Sequence, residues 1–97
     1  MQSPRAAPKV AFGLLVENDY LTPGRVLMDI KRKHRALVRA DGSLESTCGT
    51  VGSIHKLGAT LQGAAACNGW TFWHYDTPEG LQTIDTLRQR YLLATQP

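Results

Sequence analysis

The sequence predicts a small α+β domain. Its elements run helix, three-stranded antiparallel meander, helix, strand, helix, packed as one unit. Three observations lead there. Apolar residues recur at helical spacing near the start, in the middle and at the end. Between the first two stripes lie short β-leaning runs closed by an Asp-Gly pair. Residues 67–75, CNGWTFWHY, hold both tryptophans of the chain, one of its two phenylalanines and one of its three tyrosines.

The first ten residues, MQSPRAAPKV, contain Pro, Ala and cations, with no apolar core of a signal peptide. Residues 1–9 read as a flexible leader, and the domain is expected over 10–97. Phe12, Leu15 and Val16 then mark a helical stripe. LTPG at 21–24 is a turn, with Pro23 and Gly24 where a type II turn favours them.

RVLMDIK and RALVRAD read as strands separated by a basic turn. Asp41-Gly42 turns the chain into a third strand, SLEST, because both residues tolerate positive φ. CGTVG reads as a loop.

Ile54, Leu57, Gly58 and Leu61 define an amphipathic helix, opened by Ser53 as N-cap and ended by Gly63. NGWTFWHYD reads as a strand entered through an Asn68-Gly69 turn, and TPEGLQT as another turn. IDTLRQRYLLAT closes the chain as a helix with Ile84, Leu87, Tyr91 and Leu92 on one face. Arg88 and Arg90 are placed toward its C-terminal end, where a cation favours the helix dipole.

At 97 residues, with 42% hydrophobic and 20% charged content, the chain is an ordinary globular one. It lacks a run of about 18 apolar residues, so no transmembrane helix is expected. The net charge is +3, and the cations are unevenly placed. Arg25, Lys31, Arg32, Lys33, Arg35 and Arg39 fall in one stretch opposed only by Asp29. Such a block attracts polyanions, or else forms a solvated hairpin face.

No phosphate loop, dinucleotide fingerprint, zincin helix or nucleophile elbow is present. Cys48, His55, Cys67 and His74 follow a C-x6-H-x11-C-x6-H spacing that lacks the tight knuckles of structural zinc sites. The expectation is therefore no metal, a buried and inert Cys67, and a reducing compartment. A binding module is favoured over an enzyme.

Strand alternation would put Trp70, Phe72 and His74 on one face and Thr71, Trp73 and Tyr75 on the other. One indole could then be core while the other stacks on a base or sugar. Ser53, with His55 and Lys56 beside it, opens a helix whose N-terminus suits a phosphate. Asn68 is a turn residue whose amide could also reach a base edge.

Taken together, SIHKLGATLQGAAACNGWTFWHY followed by IDTLR resembles the C-terminal domain of the cell-cycle-regulated bacterial DNA adenine methyltransferases that act on GANTC. This domain type is the restriction enzyme adenine methylase associated domain. The likeness extends upstream through AFGLLVENDYLTPGRVL and ALVRADGSL, covering the chain from about Lys9. NGWTFW in that order of elements is its most specific part.

The resemblance implies a DNA-binding domain of a GANTC-type, homodimeric methyltransferase in the bacterial cytoplasm, associated with the nucleoid. By likeness, DNA contact falls on Ser53, Asn68, Trp70 and Arg88, with Phe72 and Trp73 in the core. Lys31, Arg32, Lys33, Arg35 and Arg39, with His55 and Lys56, would neutralise phosphates. Unpaired bases could be contacted as well. Catalysis and S-adenosylmethionine would belong to a separate N-terminal domain, since this chain carries no Asp-Pro-Pro-Tyr-type motif. The alternative is a protein-interaction or dimerisation module of the same enzyme.

Overall fold

The computed structural model describes residues 11–95. The leader expected at 1–9 lies outside the described residues. The elements are α1 (Phe12–Glu17), β1 (Val26–Met28), β2 (Arg35–Val38), β3 (Leu44–Ser46), β4 (Val51–Gly52), α2 (Ile54–Gln62), α3 (Gly69–Phe72), β5 (His74–Thr77), β6 (Gly80–Thr83) and α4 (Asp85–Thr95). The α+β class and the meander hold. The sheet is larger than the sequence suggested, with six antiparallel strands in the order β4-β3-β2-β1-β5-β6.

Alternation along β2 leaves Arg35 and Leu37 outward and buries Ala36 and Val38. Val38 pairs with Leu44, and Ala36 with Ser46, so the inward row continues across the meander. Phe12, Leu15 and Val16 of α1, Ile54 and Leu57 of α2, and Leu87 of α4 join these strand residues in one core. The opposite face is open. There Val26 pairs with Leu37, Leu37 with Glu45, and Glu45 with Val51, and all three hydrophobics of that row are exposed.

Three expectations need correction. The CGTVG loop contains β4, because Ser46 turns the chain back on itself. Its N–H donates to the Thr50 carbonyl (2.8 Å), and its Oγ accepts from the Thr50 N–H (3.1 Å). TPEGLQT is half turn and half strand, since β6 pairs with β5 from Gly80 to Thr83. In the Asp41-Gly42 turn only Gly42 takes positive φ, at 86°. The Pro23-Gly24 turn forms as expected: the Arg25 N–H donates to Thr22 O (3.0 Å), and Gly24 has φ of 92°.

The aromatic run is not one strand. Asn68 caps a helical turn instead of a hairpin, its Oδ1 accepting from the Trp70 N–H (3.1 Å). Residues Gly69–Phe72 therefore coil, and extended geometry begins only at Trp73. The physical reason is that Asn is as good an N-cap as a turn former. Tertiary contact decided between the two, because Gly69 packs directly on Ile54. A Cβ at Gly69 would stand 2.5 Å from the Ile54 carbonyl carbon.

The core assignment of Trp73 holds. It is fully buried, and its indole N–H donates to the Ile54 carbonyl (2.9 Å). Phe72 is only half-buried, edge-on to Trp73 with ring centroids 4.9 Å apart.

Candidate nucleic-acid interface

The return from β4 across the core to β5 brings the N-termini of α2 and α3 together. Ser53 caps α2, its Oγ accepting from the Lys56 N–H (3.1 Å). One residue into the helix, Ile54 receives Gly69; one further, His55 Nδ1 accepts the Gly69 N–H (2.9 Å). Asn68 caps the second helix immediately before this junction. The first turn of α2 carries no acidic residue. This suits an anion at its positive end.

Trp70 lies at the centre of the group. Only 6% of it is exposed, and its ring is covered by Phe12, by the edge of His55 and by Arg88. The Arg88 guanidinium carbon sits 4.7 Å from the ring centroid. The expectation of an accessible indole ready to stack on a base is thereby corrected. The alternation behind it assumed a strand, and the helical turn rolls Trp70 into the core instead.

Arg88 also differs from expectation in its place on the helix. It falls in the first turn of α4, not toward its end, so the dipole does not favour it there. Its partner is Asp85, one turn earlier, through Nη2 and Oδ1. The contact is an ion pair without hydrogen-bond geometry: Asp85 Oδ1 and Arg88 Nε are both buried with no hydrogen-bond partner. About a third of each side chain still reaches solvent, so the head is anchored but not enclosed.

A common polarity runs through these residues. Ser53 Oγ, His55 Nδ1 and Asn68 Oδ1 each accept a backbone N–H of the fold. That leaves the Ser53 hydroxyl hydrogen, the His55 Nε2–H and the Asn68 amide hydrogens as donors. The Trp70 indole N–H has no acceptor among the described residues, and Lys56 and Arg88 donate only. In Ser53, His55 and Asn68 the acceptor atom is the one spent on the fold. Ser53, His55 and Trp70 line one shallow depression of about 370 Å3. Asp41 lies on its rim, its carboxylate occupied by the Ser43 N–H (3.0 Å) and hydroxyl (2.6 Å) and facing Arg39 (3.8 Å). Those Ser43 bonds come first in holding the Asp41 carboxyl below its usual range, with Arg39 adding to them.

The basic residues of the meander do not all join this group. Arg39 is exposed but paired to Glu45 (3.0 Å) and Asp41. Arg35 projects from the open face of the sheet. Arg32, with φ of 60°, turns its Nη1 toward Met28 Sδ (3.9 Å). Lys31 and Lys33 border a different cleft. Sequence reasoning missed Gly69, His34 and Asp85. Asp85 is visible afterwards as an acid three residues before Arg88, at the opening of a helix.

Cys48 and Cys67 are both free thiols. Among the described residues, no three His, Cys, Asp or Glu side chains gather as metal ligands. No helix among those residues is long and apolar enough to cross a membrane.

Fold and site define a small α+β domain in which Ser53, His55 and Asn68 each accept a backbone N–H at the start of α2 or α3. A family model described as RAMA, Restriction Enzyme Adenine Methylase Associated, matches residues 1–97. The chain belongs to that family, a domain type associated with adenine methylases.

Proposed function

We propose that this chain is the DNA-contacting domain of an adenine-N6 methyltransferase of GANTC type. The observation that carries the reading is the donor polarity left to Ser53, His55 and Asn68, whose acceptor atoms take backbone N–H groups, with the Arg88 guanidinium close by over Trp70. Phosphate oxygens only accept, so side chains that present donors suit the DNA backbone. Arg88 is the main contact, preorganised by Trp70 and Asp85; Trp70 supports it and does not stack on a base. A net charge of +3 adds general attraction.

In this reading the chemistry and S-adenosylmethionine reside in a catalytic partner domain of a homodimeric parent acting on the bacterial nucleoid. The basic residues outside the group, Lys31, Arg32, Lys33, Arg35 and Arg39, act as longer-range attraction. A few phosphate contacts bind weakly alone, and tethering to the catalytic domain raises the effective concentration of DNA. Titrating a labelled GANTC duplex at two salt concentrations tests this. Three phosphate contacts predict roughly a 40-fold loss of affinity between about 50 and 200 mM salt. Salt-independent binding contradicts it.

A second reading, dimerisation, draws on the open sheet face. Val26, Leu37 and Val51 form an exposed apolar row, with Arg35 and Glu45 of opposite charge beside it. Such a face is self-complementary in an isologous pair. Sedimentation without DNA tests it, and a single concentration-independent species excludes it.

A further inference from the structure

On the other side of α3 a cleft of about 350 Å3 opens between the β1–β2 turn and the start of β5. We propose that it binds a single unpaired nucleotide whose base carries an exocyclic amino group, as adenine and cytosine do. The inference rests on the cleft itself and not on the Ser53–Arg88 group.

The polarity here is the reverse of that around Arg88. His74 is only 7% exposed, and its Nδ1 lies 3.0 Å from the Phe72 carbonyl. A carbonyl can only accept, so Nδ1 carries a hydrogen, and in that tautomer Nε2 is the acceptor. Among the described residues Nε2 has no partner, and His74 lines the cleft. Gln62 donates its amide hydrogens to the Gly58 carbonyl (3.1 Å) and Cys67 Sγ (3.4 Å), which leaves Oε1 as its remaining group. Asp29, buried in the same wall, takes the His34 N–H (2.9 Å), with the Lys33 N–H also acting on its carboxylate, which as an acceptor-only group has further lone pairs.

Three residues with acceptor atoms line this one cleft, a lining that suits a ligand rich in N–H. Two classes have that chemistry, organic cations and amino-bearing bases. The remaining lining decides between them. His34 and Phe72 both line the cleft, their rings tilted by 35° with centroids 6.3 Å apart, and a flat aromatic ligand suits such a lining. Lys31 and Lys33 border the opening, where they repel a cation and attract a phosphate. A nucleotide with an amino base brings both the N–H donors and the phosphate this lining suits; thymine has no amino group and offers only its N3–H between two carbonyls.

The test is a two-dimensional NMR titration of the chain with dAMP, dCMP, dTMP and agmatine. Expected are saturable shifts of the amides of residues 29–34 and 71–74 with dAMP and dCMP, and binding of dTMP roughly tenfold weaker. Gln62→Leu, at an exposed helix end, narrows the gap between dAMP and dTMP. The double variant Lys31→Ser/Lys33→Ser weakens all three nucleotides alike. His74→Leu removes the buried acceptor but is liable to disturb the fold, so Gln62→Leu carries the test. Equal binding of dTMP and dAMP overturns the proposal. So does occupancy by agmatine in preference to nucleotides, or the lack of shifts in this cleft up to about 10 mM nucleotide. The same spectra report Ser53, Asn68 and Arg88 separately under duplex DNA, so failure at either site is distinguishable from failure at the other.

Discussion

The guanidinium of Arg88 lies 4.7 Å from the centre of the buried Trp70 ring, while Asp85 holds one of its terminal nitrogens. A long, flexible cation is thereby fixed before any ligand arrives. Fixing it lowers the ordering cost of binding. Arg88→Gln is expected to lower duplex affinity about tenfold or more with the fold intact, from the loss of one charge-assisted contact. Arg88→Lys should recover only part of the loss, because an ammonium cannot stack and present a planar fork. Fluorescence anisotropy, with circular dichroism as the fold control, checks both.

Trp70→Ala should unfold the chain more than it disables it. The ring is buried against Phe12 and Arg88, and truncating such a residue costs about 3–5 kcal/mol. Chemical denaturation should show this loss without DNA. A folded Trp70→Ala domain with only its DNA affinity changed would restore the idea of a stacking indole.

Gly69→Ala probes the junction beneath the site. The added methyl would meet backbone atoms of Ile54 that cannot swing aside. A cost of about 2–3 kcal/mol is expected from overpacking. Ser53→Ala should cost about 1 kcal/mol through the lost cap. Urea denaturation curves measure both, and a neutral Gly69→Ala would show that the two helix starts are not in tight contact.

Cys48 gives a pH signature. Hydrogen bonds from Ser46 first, then from Thr50, favour its thiolate and lower the pKa from 9.0 to about 7. Alkylation by iodoacetamide should therefore rise through a midpoint near pH 7. In Ser46→Ala the midpoint moves upward. The same midpoint in both proteins would dissociate the thiol from its neighbours.

Asp29 gives a second one. Burial raises its pKa, but the backbone N–H groups of His34 and Lys33 outweigh this, and the net shift is downward. Its folded pKa is thus below its unfolded one. The contribution is present above the unfolded pKa and is lost as pH falls through the folded value. Asp29→Asn should flatten the acid side of the stability profile, measured by denaturation at stepped pH. An unchanged acid limb would show that this carboxylate does not hold the turn.

The helical stripes, the meander and the caps were legible in the sequence because each rests on local chemistry. Phe12, Leu15 and Val16 needed only periodicity, and Ser53 needed only a cap followed by an apolar run. NGWTFW was read wrongly because Asn68 suits a hairpin turn and a helix start equally well. Only the contact of Gly69 with Ile54, fifteen residues away in sequence, selects between them. Membership of the methylase-associated family was likewise readable from the motif. The donor polarity of the site was not, since it depends on which atom of His55 and Asn68 the fold occupies.

The central claim is that donors around Arg88 neutralise DNA phosphates. The most direct measurement is the slope of log affinity against log salt for a GANTC duplex, in the original chain and in Arg88→Gln. A slope near −3 is expected for about three contacts, reduced in magnitude by about one in the variant. Identical slopes and affinities for the two proteins would contradict it.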